Sequence, residues 1–411
     1  METEHLLIKC ESYIQTLCNE IPDRSVGSDG NRRATDFFRD EVSSHGWKTD
    51  LQEFDAMDWV DGGATLRAGG QDLEVFVSPY SNGCNEEGVL IGISSVEELE
   101  QAHLEGKIVL IHGEIAKEQL MPKNFVFYNP AEHRHIISLL ENGNPRAILC
   151  ATGRNASLAG GVYPFPLIED GDFDIPSVYM TEDEGRKLSP FYGDVVSVNS
   201  VSTRVPGKGC NVIGHIEKPL RRRIVVTAHI DSKKGTAGAI DNATGVVVLL
   251  LLADLLADDD GKATIELAAL NGEDYYAVSG QMRYIEENQH NFNNMILNIN
   301  IDGAGYKDGK SAFSFYDLPS DIEKAANDVI DCFAGITEGP QWPQGDHSIF
   351  IQNSVPAVAV SSEWFTANID NQTITHTPKD NPGIVDCRKV VEIARGIASL
   401  INAVSRPALI D

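Results

Sequence analysis

Long apolar runs are missing from this 411-residue chain. No window approaches ~18 consecutive apolar residues, the length a helix needs to cross a bilayer, so no membrane span is expected. The opening stretch, Met1 to Arg24, alternates charged and apolar residues in a helical rhythm. It lacks a basic start, a continuous apolar core and a small-residue cleavage site, so it does not read as a signal peptide. Read from Met1, the chain is expected to stay in the cytoplasm. Cysteine pairs are missing too. The seven cysteines stand at positions 10, 18, 84, 150, 210, 332 and 387 with no CxxC spacing. An odd, dispersed set argues for reduced thiols, against both a disulfide framework and a thiolate-bound metal. The glycosylation sequons at Asn155, Asn242 and Asn371 are then chance matches. Positive charge is scarce: 33 Lys and Arg against 61 Asp and Glu leave a net charge of -28. Nucleic acid is therefore excluded as a partner, since phosphate binding needs clustered cations. The same acidity favours solubility and can concentrate cations.

What is present is enough apolar residue, 42%, for a globular protein. The length exceeds what one hydrophobic core usually serves, so two domains are expected. The second half has the clearer pattern. Arg223–Ala228, Ala263–Leu270, Met295–Ile301 and Val355–Ser361 read as buried strands, short and β-branched. Between and after them come helical stretches at Ala243–Leu256, apolar nearly all round, and at Ser279–Gln289, Ser320–Phe333 and Val385–Val404. Strands alternating with helices predict an α/β fold with a mostly parallel sheet covered on both faces. Residues Glu86–Val201 form a compact unit of their own. Strands are expected at Gly106–His112, Arg146–Ala151 and Ile175–Met180, with helices at Ala131–Asn142 and Asp183–Leu188 and a Pro- and Gly-rich loop at Gly160–Pro176. The simplest organisation is a discontinuous domain, 1–61 and 206–411, with a smaller β-rich domain inserted at 62–205. No internal repeat or low-complexity tract is present.

The carboxylates and histidines fall at informative places. His229 and Asp231 follow the Arg223–Ala228 strand, and Asp241 precedes the apolar helix. Glu273 and Asp274 follow the next strand, Asp302 follows Met295–Ile301, and His376 lies in a loop before the last helix. In parallel sheets, reactive groups gather beyond the carboxyl ends of the strands. Taken singly, each has a plainer reading. An Asp after a strand is usually a helix cap, an acidic pair is usually solvated, and a loop His is usually on the surface. As an ordered set they suit zinc, which takes N and O ligands and keeps an open position in catalytic sites. With one bridging carboxylate, five side chains serve two ions about 3.5–4 Å apart. Glu273, beside a ligand, is the candidate general base. Asp231 is the candidate acceptor for the other imidazole N–H of His229, which fixes the ligating tautomer.

These motifs resemble the zinc aminopeptidase and glutamate carboxypeptidase II family of co-catalytic two-zinc exopeptidases, the MH clan. The residues are His229-Ile230-Asp231, Asp241-Asn242-Ala243-Thr244-Gly245, Glu273-Asp274, Asn300-Ile301-Asp302 and His376-Thr377-Pro378-Lys379-Asp380. Gly345-Asp346-His347-Ser348-Ile349-Phe350 is similar to the family's SDHxxF element on the substrate side, with His347 near bound substrate. Arg24 to Asn31 resembles its amino-terminal turn, and the inserted unit is similar to a protease-associated domain. The resemblance implies one zinc on His229, Asp241 and Asp302, and a second on Asp241, Asp274 and His376. It also implies a cis peptide at Asp241–Asn242. Two departures stand out. Asp274 is one methylene shorter than the Glu usual there, and Thr375 occupies the place of a Tyr that donates to the oxyanion in some members.

The function expected is removal of a terminal residue from a peptide substrate. Aminopeptidase comes first, because acidic residues around the metals can hold a free α-ammonium. The alternatives are a carboxypeptidase or dipeptidase, an acyl-transferring glutaminyl cyclase using one zinc, and a non-catalytic receptor-like homologue. His133 and His135 in the inserted unit are expected on the surface.

Overall fold

The computed structural model describes residues 2–152, 166–218, 222–369 and 372–405. Asn155, Asn371 and residues 160–165 of the expected loop lie outside the described residues. The fold is mixed α/β, and the chain divides into two compact units: Met1–Ala56 with Lys208–Asp411, and Met57–Gly207. Both boundaries fall within long strands, Lys48–Ala68 and Val195–Ile216.

In the larger unit the sheet runs Ile336–Glu338, Ser311–Tyr316, Ala357–Ser362, Met295–Ile301, Arg223–His229, Thr264–Leu270, then residues 212–216. The four strands from Ala357–Ser362 to Thr264–Leu270 are mutually parallel. Ser311–Tyr316 and residues 212–216 join antiparallel. The order matters for the site. Arg223–His229 pairs with the next strand in sequence on one side and with Met295–Ile301 on the other. The chain thus switches direction across His229, and such a switch point opens a crevice beyond the strand ends. Register is strict: Leu270 lies opposite His229 and Asn300 opposite Thr227, so the three strands stop nearly level.

The helix Thr244–Leu255 is buried from Thr244 through Ala253, as its all-apolar run required. It packs against the Cys387–Ser405 helix and the sheet in one core that includes Val226, Leu249, Leu267, Ile299, Ile397 and Ile401. Truncating either of these leucines to Ala is expected to cost ~2–5 kcal/mol, since the cavity would refill poorly.

The smaller unit has its own cores. Cys84–Ile93, Lys107–Ile111, Ala147–Thr152 and Ser177–Thr181 are parallel in that order, with residues 195–200 and Phe76–Val77 antiparallel at the two sides. Its helix Ala131–Gly143 buries His133, whose Nδ1 accepts the Met121 N–H at 3.1 Å, so this histidine is not the surface residue expected. His135 is exposed and pairs with Glu100. Among the described residues, no helix is long and apolar enough to cross a membrane.

Candidate metal centre

Three neighbouring strand ends supply most of the site. His229 closes its own strand, Glu273 and Asp274 follow Leu270 by a short turn, and Asp302 follows Ile301. The Asp302 N–H still donates to Val360 O at 2.9 Å, which extends the ladder to the site. Asp241 comes from the segment before the buried helix. There the Asp241–Asn242 peptide is cis. The Asn242 side chain donates to Ile301 O at 2.7 Å and accepts the Gly245 N–H at 3.0 Å, joining the helix start to the Asp302 strand. A Cβ at position 245 would lie 2.3 Å from Asn242 Oδ1, so only glycine fits this approach.

The Asp241 carboxylate is central. Its Oδ1 lies 3.2 Å from His229 Nε2, and its Oδ2 lies 3.0 Å from His376 Nε2. Asp302 Oδ1 is 3.6 Å from His229 Nε2, and Asp274 Oδ1 is 3.0 Å from His376 Nε2. Each histidine therefore faces one oxygen of Asp241 and one further carboxylate. Bonds of 2.0–2.1 Å to a tetrahedral zinc place ligand atoms about 3.3 Å apart, and the observed separations bracket that value. Ligand atoms of His229, Asp241 and Asp274 all lie within 4.8 Å of one another. Among the described residues, His229 Nε2 and Asp274 Oδ2 are buried without a hydrogen-bond partner, an arrangement that costs stability unless something binds them. The residues fit divalent cations.

The electrostatics agree. Burial alone would lower the His229 imidazole, but Asp231, Asp241 and Asp302 outweigh it and raise it well above its ordinary value. Burial likewise opposes, and Asp274 and Asp241 overcome, a rise at His376. Burial pushes Glu273 up, helped by Asp302, Asp274 and Asp346 and opposed by His229.

Asp231 has main-chain partners as well as His229. His229 Nδ1 lies 3.2 Å from the Asp231 main-chain oxygen and 3.6 Å from its carboxylate. The carboxylate also accepts the Gly272 N–H at 2.7 Å and the Asp274 N–H at 3.0 Å. It thus grips the backbone on both sides of Glu273. The reason is the tight turn after Leu270, which aims these two N–H groups at the neighbouring strand end.

His347 is almost fully buried, with its ring 4.5 Å from Trp342 and 4.9 Å from Tyr316. Burial holds it down to about 4. Its neighbour Asp346 is also buried, accepts from Gln281, and is pushed by burial up to about 7. Thr375 is buried and its hydroxyl accepts from Gln372, so it is committed within its own loop.

Two supporting residues had no role in the sequence reading. Arg24, fully buried, donates to the carbonyls of Leu17, Ile230, Ala237 and Gly238. Asp380, also fully buried, accepts from the Ile240 and Asp241 N–H groups. Both stood inside quoted motifs, but only the folded loop shows what they bind.

Residues 211–401 match peptidase family M28. No curated protein matches the chain. Among solved structures, an aminopeptidase from Aneurinibacillus sp. strain AM-1 is similar at a TM-score of 0.77 and 19% identity, covering 98% of this chain and 94% of that one. A zinc aminopeptidase from Bacillus subtilis is similar at a TM-score of 0.75 and 16% identity, covering 98% and 96%. A peptidase M28 precursor from Shewanella amazonensis is similar at 0.69 and 18%, with the same coverage of 98% and 96%. At these identities the likeness is one of fold.

Proposed function

We propose that this chain, whose residues 211–401 match peptidase family M28, is a two-zinc aminopeptidase acting on peptides. The observation that carries the reading is the Asp241 carboxylate, which turns one oxygen to each histidine. In this reading His229, Asp241 and Asp302 hold one zinc, and Asp241, Asp274 and His376 hold the other. Zinc, when bound, supplies Lewis acidity that lowers the pKa of water towards ~7 and polarises a carbonyl.

The chain's own groups do the rest. Glu273 accepts a proton from the water whose oxygen attacks the scissile carbonyl carbon. As the C–N bond breaks, Glu273 returns that proton to the leaving amine nitrogen. Asp231 holds the Gly272 and Asp274 N–H groups and so aims Glu273. The acidic residues around the metals are read as holding the substrate's free α-ammonium, which is the basis for placing aminopeptidase first. His347 is assigned to the wall behind the substrate side, and the 57–207 unit to a protease-associated-like insertion.

Substrate polarity tests this. Acetylating a peptide's N-terminus is expected to abolish turnover, while amidating its C-terminus leaves it. The reverse pattern, measured by product release, moves the assignment to a carboxypeptidase.

A further inference from the structure

The loop that carries His376 also carries an acid, Asp380, and its target is the bridging residue. Asp380 is fully buried. The Ile240 N–H donates to its Oδ1 at 2.8 Å, and the Asp241 N–H to its Oδ2 at 3.2 Å. Both carboxylate oxygens are therefore used on the backbone at Asp241. Asp380 is itself fixed to the His376 loop, because its N–H donates to Thr377 O at 3.0 Å.

His376 sits at φ +60, a left-handed conformation that a non-glycine residue holds only when its surroundings impose it. On one side Gln372 Oε1 accepts the Ile374 and Thr375 N–H groups. On the other side the loop is held through Asp380. Arg24 fixes the same Asp241 segment from the opposite end, through the carbonyls of Ala237 and Gly238. The result is a direct tie between two segments distant in sequence, whose side chains meet at 3.0 Å, His376 Nε2 to Asp241 Oδ2.

We propose that Asp380 is a positioning residue that sets the bridging carboxylate of Asp241 against His376 and thereby tunes metal affinity. This rests on the two-zinc reading above. A plain loop anchor would stabilise the fold without reaching the metal, so the test separates these.

Asp380→Asn replaces one acceptor by an NH2 group facing a backbone N–H. Zinc affinity is measured by competition with a chelator, and the visible spectrum is recorded on the cobalt-substituted protein. The variant is expected to bind at least one zinc ~10–100-fold more weakly, the range for groups that orient metal ligands. Its cobalt bands are expected to shift. Unchanged affinity and an unchanged cobalt spectrum, whatever the melting temperature, overturn the proposal. Should Asp380→Asn not fold, Asp380→Glu, which keeps charge and both acceptors on a longer arm, is read in the same two assays with the same outcomes. A wild-type chain that binds neither zinc nor cobalt would instead refute the two-zinc reading itself.

Discussion

The Asp274 N–H donates to the Asp231 carboxylate at 3.0 Å. With the matching bond from Gly272 at 2.7 Å, the turn that carries Glu273 is fastened to the strand end that carries His229. Asp231→Asn loses one of these acceptors while keeping the shape. Metal affinity or activity is expected to fall ~10–100-fold. Zinc retention on dialysis against a chelator, alongside kcat/KM, checks it; wild-type values in both would remove Asp231 from the site.

The proposed ligand set calls for about two zinc ions per chain, because one bridging carboxylate lets five side chains serve two ions. His229→Ala and His376→Ala are each expected to lower that stoichiometry, read by elemental analysis of the purified protein. Chelation should also lower the melting temperature, since a ligand bound only by the folded chain at about 1,000 times its Kd stabilises by about 4 kcal/mol. Full metal retention in both variants would defeat the ligand assignment.

His347, which is not among the proposed ligands, offers a pH test. Burial holds its imidazole down to about 4, against 6.5 ordinarily. Between those values the unfolded chain binds more protons than the folded one, so this group's contribution to stability is present above pH ~6.5 and lost as pH falls towards ~4. The whole shift corresponds to about 3 kcal/mol. His347→Gln is expected to flatten the decline over that window, measured by urea unfolding at several pH values. Parallel curves for variant and wild type would mean that His347 is not held neutral.

The peptidase half was legible because its buried parallel strands read as short β-branched runs and its helix Thr244–Leu255 as an unbroken apolar one. The strand Ser311–Tyr316 was not expected; its run SAFSFY holds no β-branched residue, and it pairs with Ala357–Ser362. The long strands Lys48–Ala68 and Val195–Ile216 were missed for a similar reason: many of their residues are exposed, so no apolar run marks them. At the site, residue types and order suggested the metal cluster. The Asp231 and Asp380 contacts were hidden, since both carboxylates bind main-chain N–H groups, which carry no signature in sequence.

The last prediction separates chemistry from metal binding at Glu273 and Asp274. The two are adjacent, and Asp274 Oδ1 lies 3.0 Å from His376 Nε2, inside the cluster. Glu273→Gln keeps shape and hydrogen bonding but cannot accept a proton. Loss of a general base costs ~10²–10⁴-fold in rate, roughly 3–5 kcal/mol at about 1.36 per decade. Metal content is expected to stay near wild type and substrate still to bind. Asp274→Asn is expected to weaken one zinc and to lose activity through that loss, with partial recovery on adding zinc. Zinc content, kcat and KM measured on both variants decide the matter. If Glu273→Gln loses metal but keeps its activity per bound ion, the two roles are exchanged. If it keeps full activity, Glu273 is not the base.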